Sequence, residues 1–309
     1  MKKLTFSLLL CIGSIASITV SGQFNNEIGL NIGGANYLGD IGGKEQTARR
    51  FLWDMKLDKT RPMSGLYFRH KFNNLFALNA SANYGRIVGD DRDSENIARN
   101  TRNLRFRNNI KELNLSGELN ILELADVGGR GAYQTSMNVF VHSGLSIFHH
   151  NPKGKIDGTS EWYLLQPLKT EGVEYSNWGI GIPAGLGVNF TYRRHHRFGW
   201  KMTWTKTFTD YLDDISGYYI NEDEFDSNLA AAIANQSQLS DQSDDQAILN
   251  SFAPGEKRGD EQYNDAYLFS SVSYGYMIRT EPRNWPYPGP FGRKKAKSKG
   301  SSRLIRHVF

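Results

Sequence analysis

The sequence holds one cysteine, Cys11, and nine prolines, and four of those prolines (Pro282, Pro286, Pro288 and Pro290) crowd into one short stretch near the C-terminus. With no cysteine after residue 11, the body of the chain has no disulfide scaffold, no cysteine metal site and no thiol nucleophile. Leu10 precedes Cys11 instead of the small residue that lipid attachment favours, so a lipoprotein is not expected. Long apolar runs are also missing beyond the first residues, and the mean hydropathy is −0.53. That excludes further membrane helices, which need about 20 apolar residues each, but not a membrane barrel, in which only alternate residues touch lipid.

The first residues read as an export signal. Lys2 and Lys3 precede an apolar stretch over 4–18, and Val20-Ser21-Gly22 offers a cleavage site that leaves Gln23 at the mature N-terminus. The alternative, a membrane anchor, suits the short apolar core and the polar, Gly-rich sequence after it less well. Domains are expected at 1–22 (signal), 23–280 (barrel, with a long acidic loop at 209–266) and 281–309 (basic tail). Charge follows the same division: 279–309 carries nine Lys/Arg against Glu281, although the whole chain is only +5.

What the sequence has in quantity is Gly (31), Tyr (15), Phe (17) and alternation. In 111–121, Leu113, Leu115, Leu119 and Ile121 share one face, and Glu112, Asn114, Ser116, Glu118 and Asn120 the other. In 178–192, Trp178, Ile180, Ile182, Ala184, Leu186, Val188, Phe190 and Tyr192 oppose a lane of glycines. Period-2 runs of this length suit strands that cross a bilayer at a tilt, which need about 9–11 residues. Six more segments, 27–38, 65–72, 76–86, 136–148, 198–208 and 267–278, bring the count to eight, an even number as closure requires. Closure matters because an open sheet edge in lipid leaves backbone groups unpaired.

The connections alternate. Those after the second and sixth strands are short and that after the fourth is a moderate Gly-rich turn at 126–134; the other four, 39–64, 87–106, 149–176 and 209–266, are long. This is the outer-membrane pattern, with turns in the periplasm and loops outside, and it puts both termini in the periplasm. Aromatic residues near strand ends (Phe72, Phe76, Tyr84, Trp178, Tyr192, Phe198, Trp204 and Phe208) suit the two interfaces, where an apolar ring with a polar tip is favoured. The competing fold is a soluble sandwich with these rings in its core; long alternation and loop asymmetry favour the barrel. The fold class is therefore all-β, an eight-stranded antiparallel transmembrane barrel. Pro183 removes a ladder hydrogen bond in mid-strand, so a local bulge is expected there.

Eight strands leave an interior that side chains can fill. The expected inward set is Glu27, Tyr67, Arg69, Glu112, Glu118, His142 and Lys201. With both signs present, ion pairs are expected rather than an open pore, with large groups lying over the lane of Gly179, Gly181, Gly185 and Gly187. Residues 209–266 carry fourteen acids against Lys257 and Arg258. Asp210, Asp213 and Asp214 could hold Ca²⁺, but no EF-hand spacing follows and a solvated acidic loop is the favoured reading. Helices are expected over 227–238 and 243–252, the second opened by a capping box.

The proline-rich stretch should be extended. The basic run Arg293, Lys294, Lys295, Lys297 and Lys299 then suits an acidic partner surface, lipid phosphates or a cell-wall polymer, or is simply solvated. Arg193, Arg194 and Arg197, flanking His195 and His196, are expected to meet inner-leaflet phosphates. Export disfavours nucleic acid. No enzyme site or cofactor motif stands out: His149 and His150 lack motif context. A lipid-modifying barrel remains the enzymatic alternative.

Three stretches carry a family resemblance: Gly33-Gly-Ala-Asn-Tyr-Leu-Gly-Asp-Ile41, Thr209-Asp-Tyr-Leu-Asp-Asp-Ile-Ser-Gly217 and Arg258-Gly-Asp-Glu-Gln-Tyr-Asn-Asp-Ala-Tyr267. Together they resemble the PorG-like outer-membrane barrels of Bacteroidota over most of 24–280. The resemblance implies a non-catalytic component of the type IX protein secretion system. Such a component would tie a periplasmic ring of PorK-like and PorN-like proteins to the outer membrane, in a system used for secretion and, in some species, gliding motility. An outer-membrane barrel would also meet the barrel assembly machinery. The segment around 226–252 and the basic extension after Arg279 depart from the family pattern. The alternative role is an independent surface barrel that binds ions or a partner through its acidic loop.

Overall fold

A computed structural model describes residues 25–41, 57–94, 96–125, 127, 135–236 and 250–278, together with the backbone of a short strand at Ile305–His307. The expected signal segment and the run 293–299 lie outside the described residues.

Eight long strands account for the sheet: β1 (Asn26–Leu38), β2 (Arg61–Lys71), β3 (Phe76–Asp90), β4 (Arg105–Leu124), β5 (Ser136–His149), β6 (Trp178–Tyr192), β7 (His196–Thr207) and β8 (Ala266–Ile278). Each pairs antiparallel with the next. The ring closes where β1 meets β8, in unbroken register from Asn26↔Ile278 to Leu38↔Ala266. The chain is a closed eight-stranded barrel.

Alternation sets which way each side chain points. Ile28, Leu30 and Ile32 are exposed on β1, while Glu27 and Asn31 are buried between them. The same holds around the ring, and Ile32, Leu113, Leu145 and Val272 are each more than 60% exposed. An apolar belt of this extent far exceeds the few hundred Å² a soluble monomer usually tolerates, so its solvent is the acyl interior of a bilayer. No described helix is long and apolar enough to cross a membrane.

Three strands run beyond their sequence signal. β4 starts at Arg105 and β3 continues to Asp90, paired throughout from Phe76↔Leu119 to Asp90↔Arg105. Above Lys111 the outward positions are Asn109, Arg107 and Arg105, so the strand goes on while its amphipathic pattern stops. β2 likewise begins at Arg61, where Pro62 and Ser64 interrupt the apolar face.

Pro183 corrects the expectation of a bulge. It pairs with Thr205 in continuous β6–β7 register. On the β5 side, pairing passes from Ser143↔Ala184 to Ser146↔Gly181 without a shift. Proline thus opens a gap in one ladder and leaves the count of residues unchanged. The shift in register lies elsewhere, between Asn120 and Leu122 on β4.

Phe148 packs over Gly179, His142 over Gly185 and Phe140 over Gly187, so large inward groups do fill the space above the glycine lane. Toward the long-loop end the interior becomes an apolar plug. Tyr37, Met63, Ile87, Phe106, Ile110, Phe148 and Phe269 from the strands meet Ile41, Leu104, Leu212 and Ile215 from the loops. In the loops themselves, Ile97–Arg102 forms a short helix, α1, capped by Asn96, whose side chain accepts from the Arg99 amide. A second, α2, spans Asn228–Ala234 under a Ser227 cap, within the expected 227–238. The helix expected over 243–252 falls largely outside the described residues.

Candidate functional sites at the two barrel ends

At the short-turn end the lumen is ionic. Arg69 sits between Glu118, reached by Nε at 2.6 Å, and Glu27 at 3.7 Å. Tyr67 donates to Glu27 Oε1 at 2.6 Å, and Asn79 donates to Glu118 Oε1 at 3.0 Å. Farther up, Glu112 accepts from Asn83 at 2.9 Å and from Tyr267 at 2.8 Å. These groups are buried, and their pairing offsets a desolvation cost of several kcal/mol per ion. Among the described residues, these side chains and the plug fill the barrel interior.

β6 and β7 are joined by a tight turn in which Arg193 (φ 50°) and Arg194 (φ 62°) adopt left-handed backbone. Both side chains are exposed at the rim, where the sequence puts them. Arg197 corrects the reading of a three-arginine rim. It follows β6–β7 alternation into the lumen, is 5% exposed, and lies 3.4 Å from Glu27. It cannot meet a lipid phosphate outside the strands. The backbone of Ile305–His307 adds antiparallel to Leu122–Leu124, an edge of β4 left free because β3 begins opposite Leu119.

At the long-loop end, the three stretches that carry the family resemblance converge into one buried knot. Tyr37, from the first, places its hydroxyl 2.6 Å from Asp213 Oδ2 and 2.7 Å from Asp265 Oδ1. The Asp40 amide donates to that same hydroxyl, and Asp40 Oδ2 accepts from the Asp260 amide at 2.8 Å. The Ile41 and Ile215 amides donate to Asp213, and the Leu212 amide to Asp265. Arg258 donates to Thr170, Glu171 and the Asp214 carbonyl. Arg102 ties α1 to the knot through Asp91 at 2.7 Å and the carbonyls of Arg258 and Asp40.

One phenolic proton cannot satisfy two carboxylates. Burial, with repulsion among Asp213, Asp265 and Asp40, pushes both acids well above the ordinary carboxylate range, so the pair retains a proton. Burial also lifts Asp210 to about 7 and Asp214 to about 6.

The start of this loop is therefore not a solvated acidic run: Asp210, Asp213 and Asp214 are 7%, 1% and 2% exposed. Nor do they converge on one ion. Asp213 faces Tyr37, whereas Asp214 accepts from Thr170 and Tyr175, at 2.5 Å each. Among the described residues no cluster of three or more His, Cys, Asp or Glu is placed to hold a metal. Tyr37, Asp265 and Arg258 lay within the resemblance stretches without an assigned role. Arg102, Asp91, Thr170, Glu171 and Tyr175 had no signal in the sequence.

Fold, apolar belt and filled lumen define a membrane-embedded β-barrel of the outer-membrane class. The chain belongs to the family described as "Domain of unknown function (DUF6089)", whose model matches residues 2–238. No curated protein matches it. Among solved structures it is similar to the outer membrane protein OprG of Pseudomonas aeruginosa (11% identity, TM-score 0.34, covering 84% of this chain and 99% of that one). It is also similar to the N-terminal barrel domain of OprF from the same organism (8%, 0.32, 83% and 100%) and to Neisserial surface protein A (6%, 0.32, 84% and 100%). At these scores the likenesses add nothing to the argument; the strand pairing of this chain itself makes it a closed barrel.

Proposed function

We propose that this barrel is a non-catalytic scaffold of the type IX protein secretion system, with both termini in the periplasm. Its short-turn end and basic tail would hold a PorK/PorN-like ring against the outer membrane. The observation that carries the reading is the knot. The three stretches resembling PorG-like barrels, far apart in sequence, are the ones that interlock through Tyr37, Asp213, Asp265 and Arg258. The filled lumen and apolar plug also favour a scaffold over a conduit. Arg193 and Arg194, with the run 293–299, supply positive charge for a partner at the turn side. The experiment is recovery of the tagged chain from crosslinked cells. Ring subunits should come with it, at levels that fall when Arg293, Lys294, Lys295, Lys297 and Lys299 are changed to Gln; clean recovery without ring subunits refutes the role.

A second reading, a surface barrel that binds through its acidic loop, draws on Glu222, Asp223, Glu224 and Asp226, which stay exposed beyond the knot. Deleting 226–252 separates the two. Scaffolding survives that change and surface binding does not.

A further inference from the structure

Just inside the short-turn end, the strands enclose a cavity of about 150 Å³. Arg69, Lys71, Arg194 and Arg197 line it with a single acid, Glu123, and with the uncharged donors Asn120, Asn138 and Thr191. Two of these cations are committed: Arg69 to Glu118 at 2.6 Å and Lys71 to Glu123 at 3.5 Å. Arg197 is not. It is 5% exposed, yet its Nε and Nη1 donate to no hydrogen-bond acceptor, and Nη2 reaches only the Met277 sulfur at 3.8 Å. Glu27 Oε2 pairs with Arg197 Nε at 3.4 Å without a hydrogen bond, and Nη1 is left with no acceptor at all.

A buried guanidinium with idle donors is costly, and its planar fork matches an oxyanion held by two parallel bonds. A cavity of this volume has room for one phosphate or carboxylate group. Access is from the turn side only, because the strand ring separates the cavity from the surrounding acyl chains.

We propose that this mouth is a binding site for a small soluble oxyanion, phosphate or carboxylate, held by Arg197 at its floor and Arg194 at its rim. The site needs no partner protein, so it stands or falls separately from the secretion role.

The test uses the full chain in nanodiscs, titrated with inorganic phosphate and, separately, with acetate at constant ionic strength, with binding read by calorimetry. Saturable one-to-one binding is expected. Arg197→Gln should weaken it at least tenfold and Arg194→Gln several-fold, while Glu123→Gln, which removes the repelling acid, should tighten it. The tightening variant keeps the test decisive should Arg197→Gln fold poorly. Nanodiscs of phosphatidylcholine and of phosphatidylglycerol should give the same affinity; competition by the anionic lipid would assign the site to a headgroup and overturn a soluble ligand. Absence of saturable binding with either anion, or binding indifferent to all three substitutions, also overturns it.

Discussion

The two ends of this barrel solve opposite problems with the same strands. Toward the turns, charges of both signs face each other across the lumen, and the mouth below them is lined with cations. Toward the loops, apolar side chains close the lumen, and a cap of carboxylates is held by backbone amides, a phenol and two buried arginines. The difference teaches where each end draws its stability. The lower lumen depends on charge balance, whereas the upper end depends on exclusion of water and on retained protons.

The largest break should come from the lower lumen. Arg69→Ala leaves Glu118 buried without its ion-pair partner and Glu27 with Arg197 alone. Removing one partner of such a set costs about 3–5 kcal/mol. Urea titration of the barrel in micelles, followed by tryptophan fluorescence, should show that loss, and Arg69→Lys should recover only part of it.

Glycine substitutions sharpen the contrast at the next level. A Cβ at Gly179 runs into the ring of Phe148, which is fully buried in the apolar plug and has nowhere to retreat. A Cβ at Gly199, in the polar half, meets the side-chain tips of Asn189 and Ser273, which can rotate away. Gly179→Ala should cost about 1–3 kcal/mol by overpacking, and Gly199→Ala distinctly less, in the same urea assay. Equal costs would remove the distinction between a rigid upper lumen and an adaptable lower one.

How far these features were legible follows the same divide. Alternation placed every strand and the facing of Glu27, Arg69, Glu112, Glu118, His142 and Lys201, because lipid on one side and a filled lumen on the other impose a strict period of two. It stopped short at 105–110 and 87–90, where the strands leave the apolar belt and outward residues turn polar. Arg197 was misplaced for a related reason. Arg193 and Arg194, a few residues before it, are exposed at the turn, but strand parity resumes at His196. The knot was half legible. The stretches holding Tyr37, Asp213 and Asp265 stood out, but their meeting is a matter of loop geometry that no periodicity encodes, and the acids looked like solvated charge.

At the long-loop end, Tyr37→Phe removes the hydroxyl that bridges Asp213 and Asp265 while keeping the ring against Phe106. About 1–2 kcal/mol should be lost, and mainly from the loop. Limited proteolysis should then cut within 209–265 faster, with the strands still protected.

The smallest effect expected is a pH dependence confined to this same end. Asp210 and Asp214 have folded-state values raised to about 7 and about 6, chiefly by burial. An acid raised above its unfolded value binds more protons in the folded state. Between about pH 4 and pH 7, therefore, each step upward in pH takes stability from the folded cap, and the loss is complete above the folded value. Raising pH from 5 to 8 should speed amide exchange at 210–215 several-fold, after correction for intrinsic chemical exchange, while β4 and β5 exchange unchanged. Asp210→Asn should flatten most of the change between pH 6 and 8, because Asp210 titrates highest of the two. If the cap instead tightens as pH rises, its carboxylates are held as anions, and retained protons are not what closes the loop end.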